Sequence, residues 1–192
     1  MDELLDRFRA TYSFLPEEKM QVILGMGELV MLQEGDTFVR RGERVGKVAM
    51  VLQGMMRNYL IDANGEEVTV LLATEMQSIA SYATIFLDLP ATETSEAIEP
   101  TILFTGDFKA FKEKAEQDLD LMRFYNMVLE ETLVNAIRRI EDFTQSSPEE
   151  RYQRILREQP ELIDRAPLKY LASYLGITPV SLSRIRKRIS GK

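Results

Sequence analysis

The sequence contains no cysteine and no histidine among its 192 residues. Without cysteine there is no disulfide, thiol nucleophile, thiolate-held iron–sulfur cluster or cysteine-based zinc finger. Without histidine there is no Ser-His-Asp triad, histidine-ligated haem or histidine-coordinated metal. An acid/base or metal site built only from carboxylates is the alternative that the composition leaves open. We expect a protein that is not an enzyme, with no catalytic residue, metal or cofactor.

Long apolar runs are also missing. No run approaches the ~18–20 apolar residues that are needed to span a bilayer. The first residues, Met1–Asp6, carry acids where a secretory signal peptide carries Lys or Arg. The lack of cysteine fits a reducing compartment. We therefore expect a cytoplasmic protein without a membrane partner.

Acidic residues are missing from the end of the chain. The whole chain has 24 Lys and Arg against 31 Asp and Glu, a net charge of −7. Residues 146–192 carry a net charge of +5 and residues 1–145 a net charge of −12, and no acid follows Asp164. This distribution indicates a polyanionic partner at the C-terminal end, and a solvated basic tail is the alternative.

Short strands with regular turns are predicted between about residues 29 and 105. The Asn64-Gly65 pair predicts a two-residue hairpin, because both residues tolerate a positive φ. Many short strands of this kind are typical of a β-sandwich or barrel. The candidate strands are Leu29–Gln33, Thr37–Arg40, Lys47–Leu52, Met55–Ile61, Glu67–Leu72 and Thr101–Thr105.

Helices are predicted on both sides of the strand region. Short helices occupy Asp2–Gly25, with a start at Pro16, and a further one is expected at Asp107–Ala115. Later in the chain, Ser147 and Glu150 frame a capping box with Pro148 at the first helical position.

Glycine and proline are absent from residues 118–144, which predicts one long helix. Its apolar positions are spaced 3, 4, 3, 4, 3, 4, 3, an a/d register with Asn126 as one polar a position. The register favours a seam between two chains, and burial within its own domain is the alternative. The predicted dimer interface is Leu119, Met122, Asn126, Leu129, Leu133, Ala136, Ile140 and Phe143.

A second apolar line on the same helix is expected to pack on the strand domain. It consists of Leu121, Phe124, Val128 and Ile137.

Residues 168–187 fit a helix-turn-helix template. Ala172 stands where only a small side chain fits, Gly176 stands at the turn, and Thr178 caps the second helix ahead of Pro179. Basic and hydroxyl side chains on the exposed face suit entry into a DNA major groove. A plain helical hairpin with basic decoration is the alternative. The predicted inner positions are Leu171, Leu175, Ile177, Leu182 and Ile185, and the predicted DNA-binding residues are Lys169, Thr178, Ser181, Ser183, Arg184, Lys187 and Arg188.

The order of these parts resembles the Crp/Fnr superfamily of bacterial transcription regulators. The resemblance covers about residues 10–190 and is carried by Gly35-Asp36, Gly42-Glu43, Gly54, Asn64-Gly65-Glu66-Glu67, Glu149–Tyr152, Arg165–Tyr170 and Ile177-Thr178-Pro179. The later motifs look like the branch common in Bacteroidetes. The resemblance implies a cyclic-nucleotide-binding-type β-roll, a dimerisation helix and double-stranded DNA with an inverted-repeat site as partner. RNA polymerase is a further partner that it implies.

The sequence departs from the family pattern in the phosphate cassette of the cyclic AMP binders. Ala80-Ser81 stands where a Gly-Glu pair is expected, and Ala91 or Thr92 stands where an Arg is expected. Residues 58–108 contain nine acids and no base, which leaves Arg57 and Arg123 as the nearest candidate partners of a phosphate. We predict a degenerate effector pocket, lined by Ser81, Tyr82 and Thr92, that does not bind cyclic AMP. The hydroxyl-rich cassette suits a neutral ligand or no ligand, and the sequence does not select between the two.

The predicted fold class is α+β: an N-terminal double-stranded β-helix or jelly-roll domain, a long dimerisation helix and an all-α helix-turn-helix domain without a wing. The predicted ranges are 1–117, 118–145 and 146–192. The predicted function is that of a homodimeric, sequence-specific DNA-binding transcription regulator. The alternatives are a ligand-sensing β-roll whose C-terminal helices bind another protein, and a cupin-like enzyme, which lacks the metal-binding histidines it would need.

Overall fold

The computed structural model describes residues 2–190. None of the helices in that range is both long and apolar enough to cross a membrane. The strands are β1 Gly27–Leu32, β2 Thr37–Val39, β3 Lys47–Gln53, β4 Met56–Ile61, β5 Glu67–Ala73, β6 Ser78–Ala80, β7 Thr94–Ala97 and β8 Thr101–Asp107. The helices are α1 Asp2–Thr11, α2 Glu17–Gly25, α3 Tyr82–Leu87, α4 Phe108–Ala115, α5 Leu119–Gln145, α6 Pro148–Glu158, α7 Pro160–Arg165, α8 Leu168–Tyr174 and α9 Pro179–Ser190.

The strands form two four-stranded antiparallel sheets. One has the order β1-β8-β3-β6 and the other the order β2-β7-β4-β5. Buried side chains of the two sheets, among them Val51, Met56 and Leu103, form one apolar core. The predicted α+β fold with an N-terminal jelly-roll β-domain is confirmed.

Two features of the β-domain differ from the sequence prediction. The hairpin between β4 and β5 exists, but its turn is wider than two residues: Asp62 N–H donates to the Glu66 carbonyl oxygen, and Gly65 (φ +85°), unlike Asn64, has a positive φ. The prediction also omitted β6, β7 and α3. The two strands are three and four residues long and are defined by their pairing with β3, β2 and β4, which local sequence patterns do not show.

The N-terminal helices and the start of α5 share a second apolar core. Phe8 and Tyr12 of α1 pack with Phe124 of α5 in edge-to-face geometry, with ring centroids 6.2 and 4.9 Å from the Phe124 ring. Leu121 is buried in this cluster and Val128 packs against it. The second apolar line of α5 therefore meets the β-domain as predicted up to Val128, whereas Ile137 is exposed.

The C-terminal helices form a third core that continues into the β-domain. Leu171, Leu182 and other side chains of α6–α9 pack with Met55, Leu72 and Ile98 of the β-domain. The predicted capping box opens α6: Ser147 Oγ accepts from Glu150 N–H at 3.3 Å, and Glu150 Oε2 accepts from Ser147 N–H at 2.7 Å.

The three predicted domain ranges stay predictions. So does the lack of a wing, because residues 191–192 lie outside the described residues.

Candidate nucleic-acid interface and ligand cavity

The turn between α8 and α9 has the geometry that the template predicts. Gly176 has φ +69°, Gly176 N–H donates to the Ser173 carbonyl at 2.9 Å, and Ile177 N–H donates to the Ala172 carbonyl at 3.0 Å. These bonds satisfy carbonyls at the end of α8. A Cβ at Gly176 would also lie 2.6 Å from the Phe143 ring, so a larger residue here would require this half-exposed ring to shift.

The inner face of the motif is packed as predicted. The side chains of Leu171, Ala172, Leu175, Leu182 and Ile185 are buried, and Ile177 is half-buried. Ala172 is completely inaccessible, which agrees with a close approach of the two helices at this position.

The hydroxyl side chains at the start of α9 form hydrogen bonds within the helix and with its N-cap residue. Thr178 Oγ1 accepts from Ser181 N–H at 3.2 Å, the predicted N-cap bond, and lies 3.0 Å from Ser181 Oγ. Ser183 Oγ donates to the Pro179 carbonyl at 3.0 Å. Ser181 and Ser183 lie in the first turns of α9, at the end where a recognition helix meets base edges.

The basic residues of the motif differ in their surroundings. Arg184 and Lys187 are exposed and make no ion pair within residues 2–190. Arg188 Nη1 lies 2.8 Å from Glu149 Oε2 of α6. Lys169 on α8 lies 4.4 Å from the centre of the Tyr170 ring. The structure brings Arg184 and Lys187 together on α9 and leaves Lys169 on the preceding helix.

The predicted dimer residues divide along α5. Met122 and Leu129 are half-buried in their own chain, whereas Leu119, Leu133 and Ile140 are 67%, 60% and 67% exposed. Asn126 and Ala136 are also exposed. Phe143 is half-covered by its own chain, because its ring contacts Arg139 and Arg151 at 4.8 and 4.6 Å from the ring centre.

A cavity of about 500 Å³ lies between the β-domain, α5, α6 and α8. Tyr82 and Thr92 line it, and Tyr82 Oη lies 3.3 Å from Thr132 Oγ1 of α5. Ser81 is completely buried, and its Oγ accepts from Thr84 Oγ1 at 3.3 Å. Of the three residues assigned to the effector pocket, the structure therefore brings Tyr82 and Thr92 to the cavity wall.

Arg57 and Arg123 are already engaged within the chain. Arg57 is buried, pairs with Glu67 at 2.5 Å and Glu96 at 3.3 Å, and stacks on Tyr170 of α8 at 3.7 Å from the ring centre. Burial lowers the pKa of Arg57, but the two carboxylates outweigh this effect and raise it overall. Arg123 pairs with Asp120 at 3.2 Å on the surface of α5.

Sequence reasoning missed the polar contacts that hold α7 and α8 against the β-domain. Arg165 pairs with Glu75 at 2.9 Å and with Glu99. Ser173 Oγ accepts from Thr69 N–H at 2.9 Å, and Arg139 donates to the Thr69 carbonyl at 3.1 Å. The partners are 66 to 104 residues apart in sequence, so no local pattern joins them.

The fold is shared with solved bacterial regulators. FixK2 from Bradyrhizobium japonicum is 16% identical, with a TM-score of 0.73 over 86% of this chain and 85% of that chain. The c-di-GMP responsive global regulator CLP of Xanthomonas campestris is 12% identical, with a TM-score of 0.70 over 92% of each chain. The catabolite activator protein of Thermus thermophilus is 15% identical, with a TM-score of 0.57 over 92% of this chain and 84% of that chain.

No protein-family profile and no curated protein sequence matches the chain. The likeness to the solved structures is one of architecture. It confirms the resemblance to Crp/Fnr-type regulators at the level of the fold. The assignment to a Bacteroidetes-like branch stays a prediction.

Proposed function

We propose that the protein is a sequence-specific DNA-binding transcription regulator that acts as a homodimer. The observation that carries the proposal is the α8–α9 pair, whose inner face is packed and whose outer face presents Arg184 and Lys187 without an ion pair among the described residues. An exposed basic helix after a tight turn suits the major groove, and its charge attracts the phosphate backbone.

The residues of the motif divide by role in this proposal. Ser181 and Arg184 contact base edges, because they lie one turn apart near the start of α9. Lys169, Lys187 and Arg188 contact phosphates, which requires Arg188 to exchange Glu149 for the DNA. Thr178 and Ser183 complete the proposed DNA-binding set. Thr178 also caps the start of α9, and Ser183 Oγ also donates to the Pro179 carbonyl.

The homodimer forms along α5 in this proposal. Leu133 and Ile140 are large, exposed and in the a/d register, and a second copy would remove them from water. A two-fold axis along the seam would place the two α9 helices on inverted half-sites about 34 Å apart, one turn of DNA.

The effector in this proposal is not cyclic AMP. The β-domain cassette offers no cation, because residues 58–108 contain no Lys or Arg and Arg57 is held by Glu67, Glu96 and Tyr170. A phosphodiester placed there would lack the arginine fork that such groups need.

Site selection with the purified protein, followed by binding titrations on the selected site, tests the proposal. We expect an inverted repeat and an affinity that does not change when cyclic AMP is added. Arg184→Ala should cost about 1–3 kcal/mol and relax preference at one base pair per half-site. Lys187→Ala is the matched control, since it should weaken all sequences alike and reduce the salt slope by about one.

Two results would contradict the proposal. Selected sites without an inverted repeat would argue against the two-fold seam. A lack of salt-dependent DNA affinity would favour the reading in which the C-terminal helices bind another protein.

A further inference from the structure

The cavity between the domains has a strongly basic end that the β-domain sequence does not reveal. Arg138 and Arg139 of α5 and Arg151 and Arg154 of α6 line it; we call these four residues the arginine end. All four lie outside the base-free stretch 58–108. The positively charged side chains of the cavity therefore come from helices, on the side that faces the helix-turn-helix domain.

The charge of the arginine end is only partly balanced. Two carboxylates, Asp142 and Glu158, line the same part of the cavity, and Asp142 forms an ion pair with Arg154. Arg138 is exposed and makes neither an ion pair nor a side-chain hydrogen bond within residues 2–190. Two more carboxylates line the cavity: Glu93 belongs to the β-domain, and Glu131 lies on α5 about two helical turns before Arg138. Four guanidinium groups against two carboxylates leave this end positive.

Arg139 and Arg151 are held by backbone carbonyls rather than by carboxylates. Arg139 donates to the carbonyls of Tyr174 at 3.3 Å and Thr69 at 3.1 Å, and Arg151 donates to the Leu175 carbonyl at 2.8 Å. A guanidinium has five N–H donors, so Arg139 keeps donors for a ligand. Burial lowers the pKa of Arg139, although the nearby Tyr174 and Asp142 act in the opposite direction. An anion at this place would compensate a guanidinium charge that forms no ion pair within residues 2–190.

The other wall of the cavity is polar but carries no base. Asn58 is 6% exposed, lines the cavity, and has a side-chain oxygen without a hydrogen-bond partner among the described residues. A buried amide oxygen without a partner is unfavourable, so a donor group on a ligand would stabilise it. Tyr82 and Thr92 add hydroxyl groups to this wall, and Thr132 of α5 lies beside Tyr82.

We infer that this cavity binds a small phosphomonoester, with its phosphate on Arg138 and Arg139 and its hydroxylated remainder towards Asn58 and Tyr82. A dianionic monoester can accept from both guanidinium groups and matches the excess positive charge better than a singly charged diester. The phosphate would lie at the helix end of the cavity, away from the base-free cassette. The inference concerns ligand binding and stands whether or not the protein binds DNA.

Calorimetric titration of the full chain with ribose 5-phosphate, inorganic phosphate and ribose tests this inference. Ribose 5-phosphate should bind, inorganic phosphate should bind more weakly, and ribose alone should not bind. Arg138→Gln should weaken both phosphate compounds about tenfold or more, because it removes charge-assisted hydrogen bonds. Asn58→Ala should weaken ribose 5-phosphate and leave inorganic phosphate unchanged, since it alters only the opposite wall.

Arg123→Gln is the matched control, since it removes the same charge from the exposed surface of α5. It should leave both affinities unchanged. The inference is overturned if ribose 5-phosphate does not bind, if Arg138→Gln binds like the wild type, if Arg123→Gln weakens binding equally, or if ribose binds as well as its phosphate. Equal affinities for inorganic phosphate and ribose 5-phosphate would overturn the assignment of the remainder to the Asn58 wall. Arg138 is chosen for the test instead of Arg139, because Arg138 makes no polar contact among the described residues and its loss should not disturb the fold.

Discussion

In the first half of α5, Leu121 and Phe124 are buried against α1, α2 and β3, whereas in the second half Leu133, Ile137 and Ile140 are exposed. Both halves carry apolar residues at helical spacing, yet one half lies in a core and the other on a surface. The spacing identifies which faces of a helix are apolar. What covers each face depends on elements elsewhere in the chain or in a second copy.

The largest effect is expected from charges placed in the exposed half. Leu133→Lys with Ile140→Lys should convert dimers into monomers, weakening association more than about a hundredfold, because four apolar side chains per dimer are replaced by cations. Sedimentation velocity at several concentrations measures this change. Glu141→Lys is the control for a new charge on the exposed surface of α5 outside the register, and it should leave the dimer intact. Dimers that persist in the double variant would show that α5 does not form the dimer interface.

A smaller effect is expected from cavities made in the buried half. Leu121→Ala should lower the free energy of unfolding by about 2–5 kcal/mol, because the side chain is completely buried. Leu119→Ala, two residues earlier and exposed, should change it by less than about 0.5 kcal/mol. Urea titrations in the monomeric Leu133→Lys, Ile140→Lys background separate this effect from dimer formation. If Leu121→Ala and Leu119→Ala lowered the free energy of unfolding equally, this would contradict the assignment of Leu121 to a core and Leu119 to the surface.

The smallest effect concerns the start of the buried half. Asp118 caps α5 by accepting from Leu121 N–H at 3.2 Å and pairs with Lys19 at 2.6 Å. The Lys19 ammonium and these backbone bonds lower the pKa of Asp118. The contribution of the Asp118 carboxylate to the stability of the folded state is therefore fully present above the pKa of about 4 that it has in the unfolded chain. This contribution is lost as the pH falls through its lower pKa in the folded state.

Asp118→Ala should lower Tm by about 2–4 °C at neutral pH, and the difference from the wild type should shrink as the pH falls below about 4. Thermal scans across pH measure it. Asp118→Asn keeps a capping oxygen but not the charge. Its Tm should therefore fall less than that of Asp118→Ala, and its difference from the wild type should vary less with pH. A deficit for Asp118→Ala that stays constant down to acid pH would show that the ionised carboxylate contributes nothing.

Local patterns in the sequence were sufficient for the long helix, the helix-turn-helix and most strands, because capping residues, turn glycines and apolar spacing act over a few residues. Gly176 and Ser147 are examples, since each satisfies backbone groups within its own turn. The short strands β6 and β7 were not predicted, because their three or four residues gain their structure from partners far along the chain.

The placement of the arginines could not be predicted either. Arg57 looked like a candidate partner for a phosphate, but it is enclosed by Glu67, Glu96 and Tyr170, which come from three different elements. Arg138 and Arg139 belong to an ordinary helical stretch of sequence, and only the packing of α5 beside β5 and α8 brings them to the cavity. Guanidinium groups reach several ångströms from the backbone, so their partners depend on tertiary structure.

The apolar core that joins Met55, Leu72 and Ile98 to the helix-turn-helix residues has a consequence for how the chain loses its structure. Separating the C-terminal helices from the β-domain exposes buried apolar surface on both pieces and breaks the Arg165 pairs with Glu75 and Glu99. The C-terminal piece would lose the part of its core that the β-domain supplies, whereas the sheet core around Val51, Met56 and Leu103 lies wholly within the β-domain. We therefore expect the C-terminal helices and the β-domain to influence each other's unfolding across the predicted boundary at residues 145–146.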